Sequence, residues 1–289
     1  MTNSRPSAIV QPATLPTSAD PNFDFIVIGS GFAGSLLATI LQTQGRRVAI
    51  VDRSSHPRFA IGESSTPAAS LILSSLADQY DLAWLKPFAK YDTWKAAYPE
   101  ITTGRKRGFS YFQHEAGVPF QPRPDHSNEL LAAASSSDEV SDTQWLRSDV
   151  DAFFFKQACA SGVVPFENSE IDSLRKLTLT TDNGWVVKIR SSQDPKSGRV
   201  DKLSAGFLID ASGAGQVLAR HLGIKDQADQ LATNSRVIFA HFTGLPKWRV
   251  TLEQTSPAST TDHPFHCDHA AQHHVLEEGW IWWLRFDSN

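Results

Sequence analysis

The pattern of apolar and polar positions changes period twice near the start of the chain. Phe25-Ile26-Val27-Ile28 is a short apolar run without charge, mostly β-branched, as expected of a parallel strand covered on both faces. After a glycine-rich stretch, Leu36, Leu37, Ile40 and Leu41 fall at helical spacing. They predict a helix over about residues 31–44, with Gly45 placed for its left-handed cap. Val48-Ala49-Ile50-Val51 then reads as a second buried strand. Leu71, Ile72, Ser75 and Leu76 return to helical spacing; Pro67 suits the first turn of that helix and Pro87 bars its extension.

Residues 91–143 read as an inserted layer covering one side of a pocket. Residues 91–98 are aromatic-rich, Arg105-Lys106-Arg107 reads as a solvated basic turn, and 109–112 as a strand turning near Gly117 and Pro119. Residues 125–143, with their Ala-Ala-Ala-Ser-Ser-Ser run, are expected to form a flexible loop. Order resumes at Trp145-Leu146-Arg147, where Ser148 is a candidate cap, with Asp149 and Asp151 in the first turn of a helix ending near Gly162. Residues 163–166 form a short strand. Residues 171–180 and 185–191 flank a turn signal at Asn183-Gly184, and 200–203 add a third strand to make a meander. It leads into Phe207-Leu208-Ile209-Asp210-Ala211-Ser212-Gly213, an apolar strand ending in an acid and a glycine. Beyond it, 236–243 reads as a strand, and 280–284, apolar on both faces, as a core strand.

Composition narrows the class. A chain of 289 residues, 40% hydrophobic and 20% charged, supports a substantial core in one large or two moderate domains. A net charge of -4 with no long basic run excludes a nucleic-acid groove and points to small-molecule partners. Cys159 and Cys267 cannot make a disulfide framework; they are expected in the core and fit a reducing, cytoplasmic setting. No apolar stretch reaches membrane-spanning length. Residues 1–22, rich in Ser, Thr and Pro without the apolar core of a signal peptide, are expected to be a disordered lead-in. His263, His266, His269, His273 and His274 with Cys267 invite a zinc reading, and His269 and His273 stand at a spacing that one helix face can share. No cysteine pair has structural zinc spacing and no H-E-x-x-H occurs, so no metal is assigned.

The chemistry sits in the first glycine stretch. Gly29, Gly31 and Gly34 form G-x-G-x-x-G between a strand and a helix: the first permits the tight turn, the second lets a pyrophosphate approach the backbone, the third lets helix pack on strand. Phe32 and Ala33 lie inside this motif, where the free N–H groups of the helix start face an anion. Asp52, followed by Arg53, ends the second strand about 20 residues on, where a carboxylate can accept from a ribose and disfavour a 2′-phosphate. An adenine dinucleotide is therefore the expected ligand. The meander favours FAD over NAD, because a simple dehydrogenase continues its sheet with alternating helices and strands. The expected fold is α/β, a Rossmann-like, glutathione-reductase-type FAD-binding fold. The FAD-binding domain takes 23–90 and 144–225, the insertion 91–143, and a partial substrate domain 226–289. Gly62, Glu63 and Ser64, in a polar loop able to lie across a cofactor, with Arg147, Asp210 and Gly213, complete the candidate cofactor residues.

Taken together, Gly29-Ser30-Gly31-Phe32-Ala33-Gly34, the stretch Ile61-Gly62-Glu63-Ser64-Ser65-Thr66-Pro67, Asp210-Ala211-Ser212-Gly213 and Gly279-Trp280-Ile281-Trp282-Trp283-Leu284-Arg285 resemble the flavin-dependent halogenases and their relatives in the aromatic-hydroxylase-like flavoprotein superfamily. The resemblance implies FAD, reduced by a separate flavin reductase, reaction with O2, oxidation of a halide to hypohalous acid, and a lysine that positions the oxidant for an aromatic substrate. Lys95, in the segment resembling that family's lysine stretch, is the candidate. The segment covered is 23–286. Those families place a further G-D motif and a catalytic glutamate after the tryptophan stretch, so the chain resembles the N-terminal half to two-thirds of such an enzyme. A flavin hydroxylase or monooxygenase, an isoprenoid reductase on the same fold, and a non-catalytic FAD-binding remnant are the alternatives.

Overall fold

The structure, a computed structural model, describes residues 22–178, 183–194, 200–233 and 235–287. The expected lead-in therefore lies outside the described residues. The elements are β1 (Asn22–Ile28), α1 (Phe32–Thr43), β2 (Val48–Val51), α2 (Pro67–Gln79), α3 (Tyr91–Ala97), β3 (Thr103–Lys106), β4 (Gly108–Gln113), β5 (Glu129–Ala133) and β6 (Asp142–Trp145). They continue with α4 (Arg147–Ala160), β7 (Val164–Phe166), β8 (Ser169–Thr178), β9 (Asn183–Ser191), β10 (Val200–Asp210), α5 (Val217–His221), α6 (Trp248–Thr255), β11 (Ala270–Leu276) and β12 (Gly279–Trp283). No helix among the described residues is long and apolar enough to cross a membrane.

The larger sheet runs β7-β2-β1-β10-β9-β8. Its first four strands are parallel, and β8, β9 and β10 form the antiparallel meander. Side chains alternate across β1: Ile26 and Ile28 join Ala49, Val51, Val187 and Leu203 on one face, while Val27 joins Ala38, Ile50 and Phe155 on the other. Burial on both faces is why this strand reads as an unbroken apolar run. The helix α1 closes at Gly45 (φ 75°), with Gly45 N–H donating to Gln42 and Arg46 N–H to Leu41, as a left-handed cap requires. It packs on α4, and a third cluster around Phe88, Trp94, Trp145 and Phe154 fills the space beneath α2 and α3. A second sheet runs β12-β11-β4-β5, and β3 pairs with β6.

Several expectations are corrected. The strand read at 200–203 and the one at 207–213 are a single strand, β10, which pairs with β9 at its start and with β1 further along, so no turn is needed between them. Asn183 and Gly184 pair within β9, opposite Thr178 and Leu177, so they are strand residues rather than the turn itself. The low-complexity stretch at 125–143 is not a loop throughout: it supplies β5, paired to β4, and the start of β6. Ser148 does not cap α4; the helix starts at Arg147, and the Ser148 hydroxyl bonds Asp149 instead. On α2 the buried face is Ser70, Leu73 and Ala77, whereas Leu71 and Ile72 are exposed. Residues 236–243 form no strand; Ile238 is fully exposed, because among the described residues no neighbouring strand offers its backbone a ladder. Trp280, Ile281 and Trp282 are also exposed rather than core: β12 is an edge strand, and among the described residues too little packs on either of its faces to bury them. His269 and His273 share no helix: the first sits in a short turn and the second on β11.

Candidate nucleotide-binding site

The C-terminal ends of β1, β2 and β10 meet at the glycine turn, where ligands of parallel α/β sheets bind. A Cβ on Gly29 would stand 2.4 Å from the Ala211 carbonyl oxygen, and one on Gly34 would stand 2.1 Å from the Gly29 carbonyl oxygen. These two glycines are demanded by the chain's own backbone. Gly31 is different: a Cβ there would point toward the Arg147 Nη2 at 3.5 Å and the Arg58 Nη2 at 3.9 Å. The backbone at Gly31 thus faces two guanidinium groups and, 3.6 Å from that Cβ position, the Asp151 Oδ2 at the start of α1.

Asp52 is turned toward this loop. Its Oδ2 accepts from the Ser30 N–H at 2.8 Å, the Ser30 hydroxyl at 2.8 Å and the Arg58 Nη2 at 3.1 Å, while Oδ1 accepts from the Ser54 N–H at 2.9 Å. Burial favours the neutral acid, but these donors outweigh it and hold the carboxyl below the usual carboxylate range. His56 Nε2 lies 2.8 Å from the Ser30 hydroxyl. Arg53 is exposed, its carbonyl accepting from the Ser192 hydroxyl, so Arg58 is the arginine beside the acid.

On the other side, Arg147 clasps Asp151 through Nε and Nη2 at 2.8 and 2.9 Å, and its Nη1 reaches the Ile61 carbonyl at 2.6 Å. Its guanidinium lies 4.6 Å from the centre of the Phe32 ring. Asp151 also accepts from the Phe32 N–H at 3.2 Å, at the positive end of α1. Gly62 adopts φ 90°, and Glu63 receives the Arg147 N–H at 3.2 Å and His241 Nε2 at 3.0 Å. Ser64 bridges to Gln144 on β6. The structure therefore brings together Gly29, Gly31, Phe32, Ala33, Gly34, Asp52, Gly62, Glu63, Ser64 and Arg147. Asp210 stands at the end of β10 and accepts from the Ser212 N–H and the Leu218 N–H, stabilising the turn through Gly213 and the start of α5.

Two lysines differ sharply. Lys95 is one-third exposed and pairs with Asp287 at 3.4 Å. Lys106, read from sequence as part of a solvated turn, is 2% exposed, and Arg107 beside it is buried too. The Lys106 Nζ donates to the Ser65 carbonyl at 2.5 Å and lies 4.6 Å from the centre of the Phe109 ring. Burial lowers its pKa, and Asp142 only partly opposes this. Among the described residues it forms no ion pair. Its signal was present in the chain: Lys106, Gly108, Ser110 and Phe112 repeat with period two, and all are buried. Arg58, His56 and Asp151 were missed because only the folded loop and α4 carry them to the glycine turn.

With this geometry in place, the class is a Rossmann-like α/β nucleotide-binding protein, and a family model for the NAD(P)-binding Rossmann-like domain matches residues 27–98. Within that class the chain is similar in sequence to several flavin-dependent halogenases. It is 27% identical to the tetracycline 7-halogenase of Kitasatospora aureofaciens over 270 residues, 93% of this chain and 45% of the relative. It is 26% identical to the monodechloroaminopyrrolnitrin halogenase PrnC of Pseudomonas fluorescens, over 93% of this chain and 43% of that one. The crystal structure of halogenase PltM in complex with phloroglucinol and FAD superposes with a TM-score of 0.74 at 28% identity, covering 92% of this chain and 49% of the other. The chain spans less than half the length of these relatives.

Proposed function

We propose that this chain binds FAD at the glycine turn and serves a flavin-dependent oxidoreductase of the halogenase type, acting on an aromatic small molecule with a separate flavin reductase as electron source. The observation that carries this reading is the convergence of Arg58 and Arg147, together with the Asp151 carboxylate, on bare backbone at Gly31, next to Ser30 where Asp52 is bonded. The donor set fits the adenosine diphosphate part of the cofactor. Arg58 Nε is buried without a partner, Gly31 leaves room where a Cβ would intrude, and at the start of α1 the Phe32 N–H donates to the Asp151 carboxylate rather than within the helix, so this end already holds a negative group. Asp52 receives the ribose, and Arg58 and Arg147 flank the diphosphate. Reduced FAD, when bound, supplies two electrons to dioxygen.

The residues of the chain then orient and protect. Gly62, Glu63 and Ser64 cross in front of the turn and tie it to β6 and α4, with Arg147 closing the loop from behind. Lys106 replaces Lys95 as the lysine we assign to handling the oxidant. Its Nζ spends one donor on Ser65, and burial makes its remaining protons easier to release than those of a solvated lysine. The test is a titration of the purified chain with FAD, followed by visible absorbance and by turnover with reduced FAD, O2 and an electron-rich phenol. Binding with halide-dependent product supports the reading. A chain that stays colourless overturns it, and equal product without chloride or bromide moves it to the hydroxylases.

A further inference from the structure

The histidines of the C-terminal stretch are dispersed by the fold, and one of them joins two residues from far away in the sequence. His263, in the turn after α6, places its Nε2 3.2 Å from Glu129 Oε1 at the start of β5. His126 Nδ1 contacts the same oxygen. The three ligand atoms lie within 4.8 Å of one another. Glu129 and His263 have side chains only 2% and 6% exposed, and the second carboxylate oxygen, Glu129 Oε2, is buried without a partner.

We propose that His126, Glu129 and His263 form a binding site for a zinc-like divalent transition metal, which pins the start of β5 to the turn that follows α6. Imidazole nitrogen and carboxylate oxygen are the ligand types such ions take, at about 2.0 to 2.2 Å, so ligands sharing one tetrahedral ion stand roughly 3.3 Å apart. The His263–Glu129 separation matches that edge, while the His126–Glu129 contact is shorter and lengthens when an ion enters. Two imidazoles converging on one oxygen while the other oxygen lacks a donor leave a buried carboxylate half satisfied; a metal gives it a partner it can chelate with both atoms. His126 holds φ 55°, an uncommon left-handed conformation for a non-glycine residue, and this turns its ring toward Glu129. Asp125 and Asp262 add negative charge around that ring. Three protein ligands leave a fourth position for water.

The experiment strips the full chain with a chelator and titrates it with zinc chloride in a calorimeter, alongside Glu129→Gln, His126→Asn and Cys267→Ser. Asparagine is chosen at 126 because it tolerates the left-handed backbone. The expected result is one zinc per chain, weakened roughly 100-fold or more in Glu129→Gln and His126→Asn, since loss of even an outer partner of a ligand costs 10- to 100-fold. Cys267→Ser retains binding, and X-ray absorption of the zinc-loaded wild type shows nitrogen and oxygen neighbours without sulfur. Absence of stoichiometric zinc in the wild type overturns the proposal. So does undiminished binding in both ligand variants, or loss of zinc in Cys267→Ser, which would move the ion to the neighbouring His266-Cys267-Asp268 group. The absorption spectrum decides the ligand set even if a variant fails to fold.

Discussion

The Asp52 carboxylate is held 2.8 Å from both the backbone N–H and the hydroxyl of Ser30, so the end of β2 is tied to the turn after β1 by a residue between the first two glycines. The same bonds set the acid's electrostatics. Because its folded pKa lies below the ordinary 3.8, the charged form adds stability that is present above the unfolded pKa and is lost as pH falls through the folded value. Asp52→Asn is expected to flatten the acid limb of a urea-midpoint profile below about pH 4 and to weaken FAD by roughly 1 to 3 kcal/mol. Wild-type and variant profiles that run parallel in acid would remove this role.

The three glycines of the turn should separate by experiment. Gly34→Ala puts a Cβ 2.1 Å from the Gly29 carbonyl oxygen, which is backbone and cannot swing away. It is expected to cost on the order of 3 kcal/mol of stability or more, read as a fall in thermal midpoint. Gly31 has φ -62° and ψ 171°, open to any residue, and its Cβ would meet nothing closer than 3.5 Å. Gly31→Ala should therefore stay within about 0.5 kcal/mol in stability. Its loss should appear in FAD titration instead, and a variant that unfolds would contradict the proposed division.

This contrast also shows what could be read from the chain before folding. The β1–α1–β2 unit was legible because each signal in it is local: an apolar run buried on both faces, a helical period, and glycines required by their own neighbours. The basic triplet was not. Arg105, Lys106 and Arg107 look solvated as a run of charge, yet Arg105 and Arg107 reach Asp138 while Lys106 reaches Ser65, partners more than 30 residues away. Residues 125–143 misled in the same way, since β5 gains its order from β4 rather than from its own alanines and serines. Trp280 and Trp282 misled in the opposite direction. Apolar side chains on both faces predict burial, but burial needs a layer packed on each face, and among the described residues Trp280, Ile281 and Trp282 stay more than half exposed.

Lys106 gives a prediction with two independent readouts. Its folded pKa is lowered, so the unfolded chain binds the extra proton between the folded value and the ordinary 10.5, and stability rises with pH across that window. Lys106→Met should abolish this alkaline rise. At neutral pH it removes a buried charge but leaves the Ser65 carbonyl without its donor, so net stability should change by no more than about 1 kcal/mol. In turnover assays with reduced FAD, Lys106→Met should lose halogenated product while still binding FAD, and Lys95→Met should retain it. Full activity in Lys106→Met would return the role to Lys95.

His274 reports on the second sheet. It is 5% exposed on β11, with its Nδ1 2.9 Å from His114 Nε2 and its ring centred 4.6 Å from that of Trp248. Burial, reinforced by His114, pushes its pKa down to about 4. The folded state thus keeps the ring neutral while the unfolded chain takes up a proton near pH 6.5. Below that value the unfolded state binds more protons, so stability falls as pH drops from about 6.5 to about 4, by on the order of 3 kcal/mol at one proton and 1.36 kcal/mol per unit. The Asp52 effect lies at lower pH, so the two are separable. His274→Gln keeps a polar side chain without the titration, and the difference between its urea-midpoint profile and that of the wild type should trace a single proton across this window. A constant offset between the two profiles from pH 7 to pH 4 would mean that His274 is protonated in the folded chain and that the aromatic cluster around it accommodates the charge.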